Sequence, residues 1–167
     1  IKSGTITKQA NKYFISLLVD SDVLLNKIIN NKSEPLGIDL GLKDFAIISD
    51  KKVFKNINKS KKVKKLEKSL KRQQRSLSRK LIKNKITEVK TANNIKKNIL
   101  EIQKLNMRLR NIRVEYVRFV VNSLVKLSPQ FIAIEDLNVK GMMKNRCLSK
   151  AISKQNFYYF RLFLTQQ

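Results

Sequence analysis

A chain of 167 residues, 42% of them apolar and 29% charged, has material for one compact domain with its own core. Thirty-seven Lys and Arg stand against twelve Asp and Glu, a formal net charge of +25 that calls for a polyanionic partner, since a merely solvated surface mixes both signs. The lack of histidine and the single cysteine, Cys147, exclude Ser-His and Cys-His catalysis, His-ligated metals, an internal disulfide and a multi-Cys zinc site within these residues.

The charge balance by itself is shared by ribosomal-type RNA binders, DNA-handling enzymes and binders of anionic membranes. No apolar run is long enough to span a bilayer, and the first residues lack a signal-peptide hydrophobic region. The chain is therefore read as cytoplasmic, without a membrane partner. It begins at Ile1 without an initiator Met and stops inside an amphipathic pattern, and is read as cut at both ends.

Residues 4–19 are predicted to form a hairpin: a short strand near Thr5–Thr7, a polar turn around Gln9–Lys12, and a second strand over Tyr13–Val19. Residues 20–35 form a polar connector closed by Pro35, which pushes Glu34 toward extended geometry. Leu36–Leu40, Asp44–Ser49 and Lys52–Lys55 then read as three short strands of a meander, turning at Gly41 and at Asp50-Lys51.

From Lys59 to Lys85 the period becomes helical, with a thin apolar stripe at Leu66, Leu70, Leu77 and Leu81. After a break near Thr87–Asn94 a second helix carries Ile95, Ile99, Ile102, Leu105, Leu109, Ile112, Tyr116, Val120, Leu124 and Leu127 at steps of three and four. Two long helices joined by a short polar break are expected to pair antiparallel. Ser128-Pro129 ends the second. Phe131–Ile134 reads as a strand buried on both faces, Asn138–Ser149 as a loop containing Gly141, and Ser153 as the N-cap of a final helix burying Phe157, Phe160, Phe163 and Leu164. The class is mixed α/β.

Two acids stand out by position. Asp39 lies in the apolar strand Gly37-Ile38-Asp39-Leu40-Gly41, where burial of a lone carboxylate would demand a cation, backbone donors or a metal. The flanking Gly37 and Gly41 would let a substrate or another backbone come close. Glu135, followed by Asp136, ends the apolar run, and the carboxyl ends of strands are the usual place for ligands in open α/β sheets. Each acid alone could serve a turn or a cap. Together they suit a site for divalent cations, which needs neither His nor Cys and fits phosphodiester hydrolysis on a basic surface.

The second feature is charge. Positions 59–85 hold thirteen Lys or Arg and one acid, Glu67. Lys61, Lys62, Lys64, Lys65, Lys68, Lys71, Arg72, Arg75 and Arg79 are candidate nucleic-acid contacts, joined by Arg113, Lys140 and Lys144 elsewhere. A helix of this kind releases counterions when it neutralises phosphates, so its binding should fall steeply with salt. Aromatics are nearly absent from the two helices, which favours reading of the backbone over base stacking there.

The segment Gly37-Ile38-Asp39-Leu40-Gly41-Leu42-Lys43-Asp44 resembles the start of the RuvC domain in TnpB proteins, the OrfB-class proteins of bacterial insertion sequences. Ile134-Glu135-Asp136-Leu137-Asn138-Val139-Lys140-Gly141-Met142, with Lys144-Asn145 after it, is similar to the family's second block and is the more specific signal. The resemblance covers nearly the whole chain. It implies an RNase H-like mixed sheet with a basic helix pair inserted at about residues 59–127. It also implies two regions: residues 1–33, a hairpin and connector from the end of an oligonucleotide-binding barrel, and residues 34–167, a partial RuvC-like domain.

By the same resemblance the complete protein would be an RNA-guided, metal-dependent DNA endonuclease, with DNA and a guide RNA as partners. Asp39 and Glu135 match the first two metal-binding acids, for Mg²⁺ or Mn²⁺. Asp136, Asn138 and Gly141, with Gly37 and Gly41, take structural roles, Asp136 by bonding loop backbone. The family's zinc ribbon and third catalytic Asp would follow beyond residue 167. The chain is therefore expected to be a fragment inactive on its own, or else a non-catalytic DNA- or RNA-binding remnant of a mobile element.

Overall fold

A computed structural model describes residues 2–19, 34–87 and 92–166. The connector expected over residues 20–35 and the break between the long helices lie largely outside these. The described chain forms two compact units. One comprises residues 1–28 and 65–109, the other residues 29–64 and 110–167.

In the first unit, β1 (Ser3–Gln9) and β2 (Lys12–Leu18) pair antiparallel from Ser3↔Leu18 to Gln9↔Lys12. The turn between them is two residues long, Ala10 at φ 48° and Asn11 at φ 62°. Positive φ at both central positions matches the right-handed twist of hairpin strands, and Asn tolerates it better than Ala. Both strands are exposed along their length.

Helices α1 (Lys61–Thr87) and α2 (Ala92–Val125) contribute to both units. Within the first unit they are tied by Asn98 of α2, buried at 5% exposure, whose amide donates to the Gln73 carbonyl at 3.3 Å and side-chain oxygen at 3.1 Å. The two helices do pair, as the periodicity implies. A polar residue seated in an apolar seam costs stability and fixes register.

The second unit holds the sheet. Strands β3 (Leu36–Leu40), β4 (Asp44–Ile48), β5 (Val53–Lys55) and β6 (Ile132–Ile134) lie in the order β5-β4-β3-β6. The meander β3-β4-β5 is antiparallel and β6 runs parallel to β3. Lys51, at φ 68°, makes the turn into β5, where the Asp50 carboxylate accepts from the Lys52 amide at 2.9 Å.

One face of this sheet is covered. Leu36, Ile38 and Leu40 of β3, with Phe45 and Ile48 of β4, pack with Val117, Val120, Val121 and Leu124 of α2 and with Ile152, Phe157 and Phe160 further on. Phe45 sits at the centre, its ring 5.6 Å from Phe160, 5.7 Å from Tyr116 and 6.2 Å from Phe157. The long stripe of α2 is deeply buried only toward its C-terminal half, and Ile99 and Leu127 are exposed.

Three expectations need correction. Phe131–Ile134 is not buried on both faces: Phe131 and Ala133 are exposed, because no described element covers the second face of the sheet. The segment after it is not all loop, since Val139–Met142 forms a one-turn helix, α3. The final helix is not capped by Ser153. It is split into α4 (Ser149–Gln155) and α5 (Phe157–Thr165) by Asn156 in the left-handed region at φ 57°. The break lets buried Gln155 donate to the Gly41 carbonyl at 3.1 Å while Phe157 and Phe160 still reach the core.

Candidate active site and nucleic-acid interface

The parallel pairing of β3 with β6 decides where the two acids stand. Its register runs Leu36↔Ile132, Gly37↔Ala133, Ile38↔Ile134. One step further along both strands come Asp39 and Glu135. Since Ile38 turns toward the core, strand alternation puts Asp39 on the opposite, open face, while Glu135 directly follows β6. Neighbouring strands lie about 4.8 Å apart, so the two backbones sit at roughly that separation.

Both acids line one cleft of about 480 Å³, together with Ile47 and Ser49 of the neighbouring strand segment. Its floor is low because the pair Gly37↔Ala133 lies beside the acids. A methyl group built on Gly37 would meet only Ser49 Cβ, at 3.8 Å, so the fold itself does not require glycine here. Gly41 is different. A Cβ there would come within 3.1 Å of the Asp44 carbonyl, in the turn where the Gly41 amide donates to Phe45 at 3.2 Å.

Asp39 is exposed rather than buried, so no desolvation cost forces a partner on it. The case for chemistry rests instead on two carboxylates held side by side on an open sheet face. Carboxylate oxygens are hard donors, and Mg²⁺ is commonly held by one or two carboxylates with water and phosphate oxygens completing the shell. The residues present therefore fit such an ion. Among the described residues no group of three or more His, Cys, Asp or Glu gathers anywhere.

The loop after β6 is held by Asn138. Its side-chain oxygen accepts from the Gly141 amide at 2.9 Å, capping α3. A Cβ on Gly141 would fall 2.8 Å from the Asn138 side chain, so a larger residue here would have to push that side chain aside from its cap. The bond to loop backbone expected of Asp136 is thus made by Asn138. Asp136 instead pairs with Arg161 of α5 at 2.9 Å, both side chains largely exposed.

Of the basic candidates, Lys61, Lys62, Lys64, Lys65, Lys68, Lys71, Arg72, Arg75 and Arg79 are all exposed on α1, and Lys140 and Lys144 are exposed near α3. Lys61, Lys65, Lys68, Arg72, Arg75 and Arg79 recur at steps of four and three, which aligns them in one stripe along about 27 Å of helix. Arg113 is placed otherwise: it is half-buried and its Nε donates to Asn58 Oδ1 at 2.8 Å. Asn58 in turn donates to the Lys154 carbonyl at 3.1 Å. Arg113 is committed to holding the entry of α1 against α2 and α4.

Sequence reasoning missed Ser49 and Ile47 as cleft residues. Counting strand parity outward from Asp39 through its partner Ile47 would have found them. Nothing in the sequence flags Asn58, whose side-chain partners Arg113, Lys154 and Gln155 lie far along the chain.

Residues 27–146 match the family OrfB_IS605, described as "Probable transposase", and this span includes both Asp39 and Glu135. The chain is also similar to the "Putative RNA-guided DNA endonuclease InsQ" of Escherichia coli (strain K12), at 33% identity over 145 residues. That alignment covers 87% of this chain and 33% of the relative, so the chain spans about a third of the length of the curated relative it matches.

Proposed function

Taking as premise that the chain belongs to the OrfB_IS605 probable-transposase family, we propose that it forms part of the nuclease domain of a transposon-associated, RNA-guided DNA endonuclease. The observation that carries this reading is that Asp39 of β3 and Glu135, at the end of the parallel neighbour β6, line one open cleft. The fold proposed is RNase H-like, of the RuvC kind. It is supported by an antiparallel meander whose first strand also pairs in parallel with a strand arriving after long helices.

In this reading Asp39 and Glu135 hold Mg²⁺ or Mn²⁺, which when bound would activate water and offset charge on a phosphodiester. The chain's own part is to present two oxygen donors from rigid strands, and to keep the floor at Gly37 and Ala133 low enough for a sugar-phosphate backbone. The stripe on α1 would bind phosphates without sequence preference. DNA and a guide RNA are the proposed partners, after the relative's description.

Two acids alone form a weak site, so we expect the 167-residue chain to bind Mn²⁺ feebly and cleave DNA little or not at all. In a polypeptide of the relative's full length, Mg²⁺-dependent cleavage should appear and be lost in Asp39→Ala and in Glu135→Ala. Robust cleavage by the 167-residue chain, abolished by Asp39→Ala, would overturn the expected inactivity. A non-catalytic binder is the second reading, favoured by the gathering of only two acids among the described residues. Salt-dependent DNA binding unaffected by both substitutions, with no cleavage in the full-length context, would establish it.

A further inference from the structure

A second cavity, of about 440 Å³, adjoins the carboxylate cleft where β6, α3 and α5 come together. Ile134 and Glu135 line both cavities, so the side chain proposed to hold metal stands at their common wall. The interior of the second is apolar, built from Leu40, Leu137, Val139 and Phe157. Its remaining lining is of another kind: Lys140, Arg161, Asn138 and Tyr158.

Tyr158 is 70% exposed, an unusual position for a large ring on a helix whose neighbours fill the core. It heads a short aromatic ladder along α5, with Tyr159 edge-on at 5.8 Å and Phe163 a further 5.7 Å on. Arg161 is steadied by its ion pair with Asp136 yet keeps most of its side chain in solvent.

An acyl chain or an apolar peptide side chain would suit the walls and leave the cations idle. A nucleotide matches both, because its base has two apolar faces and its phosphates are negative. A base inside a duplex keeps its faces stacked and offers only an edge, whereas an unpaired base can turn its faces into a slot. We infer that this cavity receives one unpaired base of the strand whose phosphate lies at Asp39 and Glu135, with Tyr158 as a positioning residue. The inference rests on the reading of that cleft as a phosphodiester site. It adds to it the place of that base, between β6, α3 and α5, and Tyr158 as the residue that fixes it.

The test uses the full chain, a single-stranded DNA carrying the fluorescent base 2-aminopurine, the same strand with an abasic position, and the matching duplex. The wild-type chain should quench 2-aminopurine fluorescence on binding. Tyr158→Ala, a change at an exposed position, should remove the quenching and weaken single-strand binding about tenfold, within the range for loss of one stacked base. The abasic strand and the duplex should bind both proteins alike. Val139→Trp, which fills the slot from the other side, should reproduce the loss of quenching in protein shown to be folded by its cooperative unfolding. Equal weakening of single strand and duplex by Tyr158→Ala, or quenching that survives it, would overturn the inference. Loss of Mn²⁺ binding is read separately on Asp39→Ala. Mn²⁺ binding that Asp39→Ala weakens, without quenching, therefore removes this pocket alone, and quenching with Mn²⁺ binding unaltered by Asp39→Ala removes the reading of the cleft.

Discussion

The two faces of the sheet β5-β4-β3-β6 are made by the same strands and serve opposite ends. On β3 the odd and even positions part company: Leu36, Ile38 and Leu40 are buried under α2, α4 and α5, while Gly37 and Asp39 face an open cleft. The same holds across the sheet, where Ile48 is buried and Ile47 exposed. Alternation lets one five-residue strand carry a core and a chemical group without either constraining the other. Substitutions at neighbouring positions should therefore fail in different assays.

Phe45→Ala and Asp39→Asn should separate the two faces most strongly. Phe45 is 1% exposed and meets three aromatic rings, so its truncation should cost about 3–5 kcal/mol and unfold a marginal domain. Asp39 is exposed, so Asp39→Asn should move stability by no more than about 0.5 kcal/mol while weakening Mn²⁺ binding tenfold or more. Denaturant unfolding and Mn²⁺ titration on both variants check the pair. A strongly destabilised Asp39→Asn would mean that the acid belongs to the fold rather than to the cleft.

How much of this was legible in the sequence follows the same division. Alternation and period gave the hairpin, the meander and the helix pair, because each of those patterns is local. Pairing of Asp39 with Glu135 was legible only as a resemblance, since the register Ile38↔Ile134 joins segments 96 positions apart in number. Burial of Asp39 and of both faces of β6 was misread for one physical reason: an apolar strand shows that a sheet exists, not which elements cover it. The division of the last helix was missed because Asn156 reads as an ordinary helix residue until Gln155 is seen to be needed at Gly41. Asn138 and Gly141 were legible as a turn, but not as the side-chain cap of α3.

Whether the open face acts alone in binding nucleic acid can be read from the basic helix. The stripe Lys61, Lys65, Lys68, Arg72, Arg75 and Arg79 lies on α1, not on the sheet. If it binds phosphates, replacing Lys65, Lys68, Arg72 and Arg75 by Gln should flatten the salt dependence of duplex binding by about 0.9 in log–log slope for each phosphate no longer neutralised. Asp39→Asn should leave that slope unchanged. An unaltered slope in the fourfold variant would confine nucleic-acid binding to the sheet and its loops.

The smallest expected effect lies on the covered face, where Tyr116 packs edge-on to Phe45 and donates its hydroxyl to the Lys55 carbonyl. Burial, and then the negative charge of Asp44, raise its pKa above the ordinary 10.0. A folded-state pKa above the unfolded one means that the folded protein holds this proton more tightly. The resulting stability is complete below about pH 10 and is lost as pH rises through the folded value. Tyr116→Phe removes both the proton and the hydrogen bond, so it should cost about 1 kcal/mol near neutral pH. The gap between wild type and Tyr116→Phe in denaturant unfolding should then narrow above pH 10. A gap that stays constant to high pH would show that Tyr116 keeps no proton more tightly in the folded than in the unfolded chain.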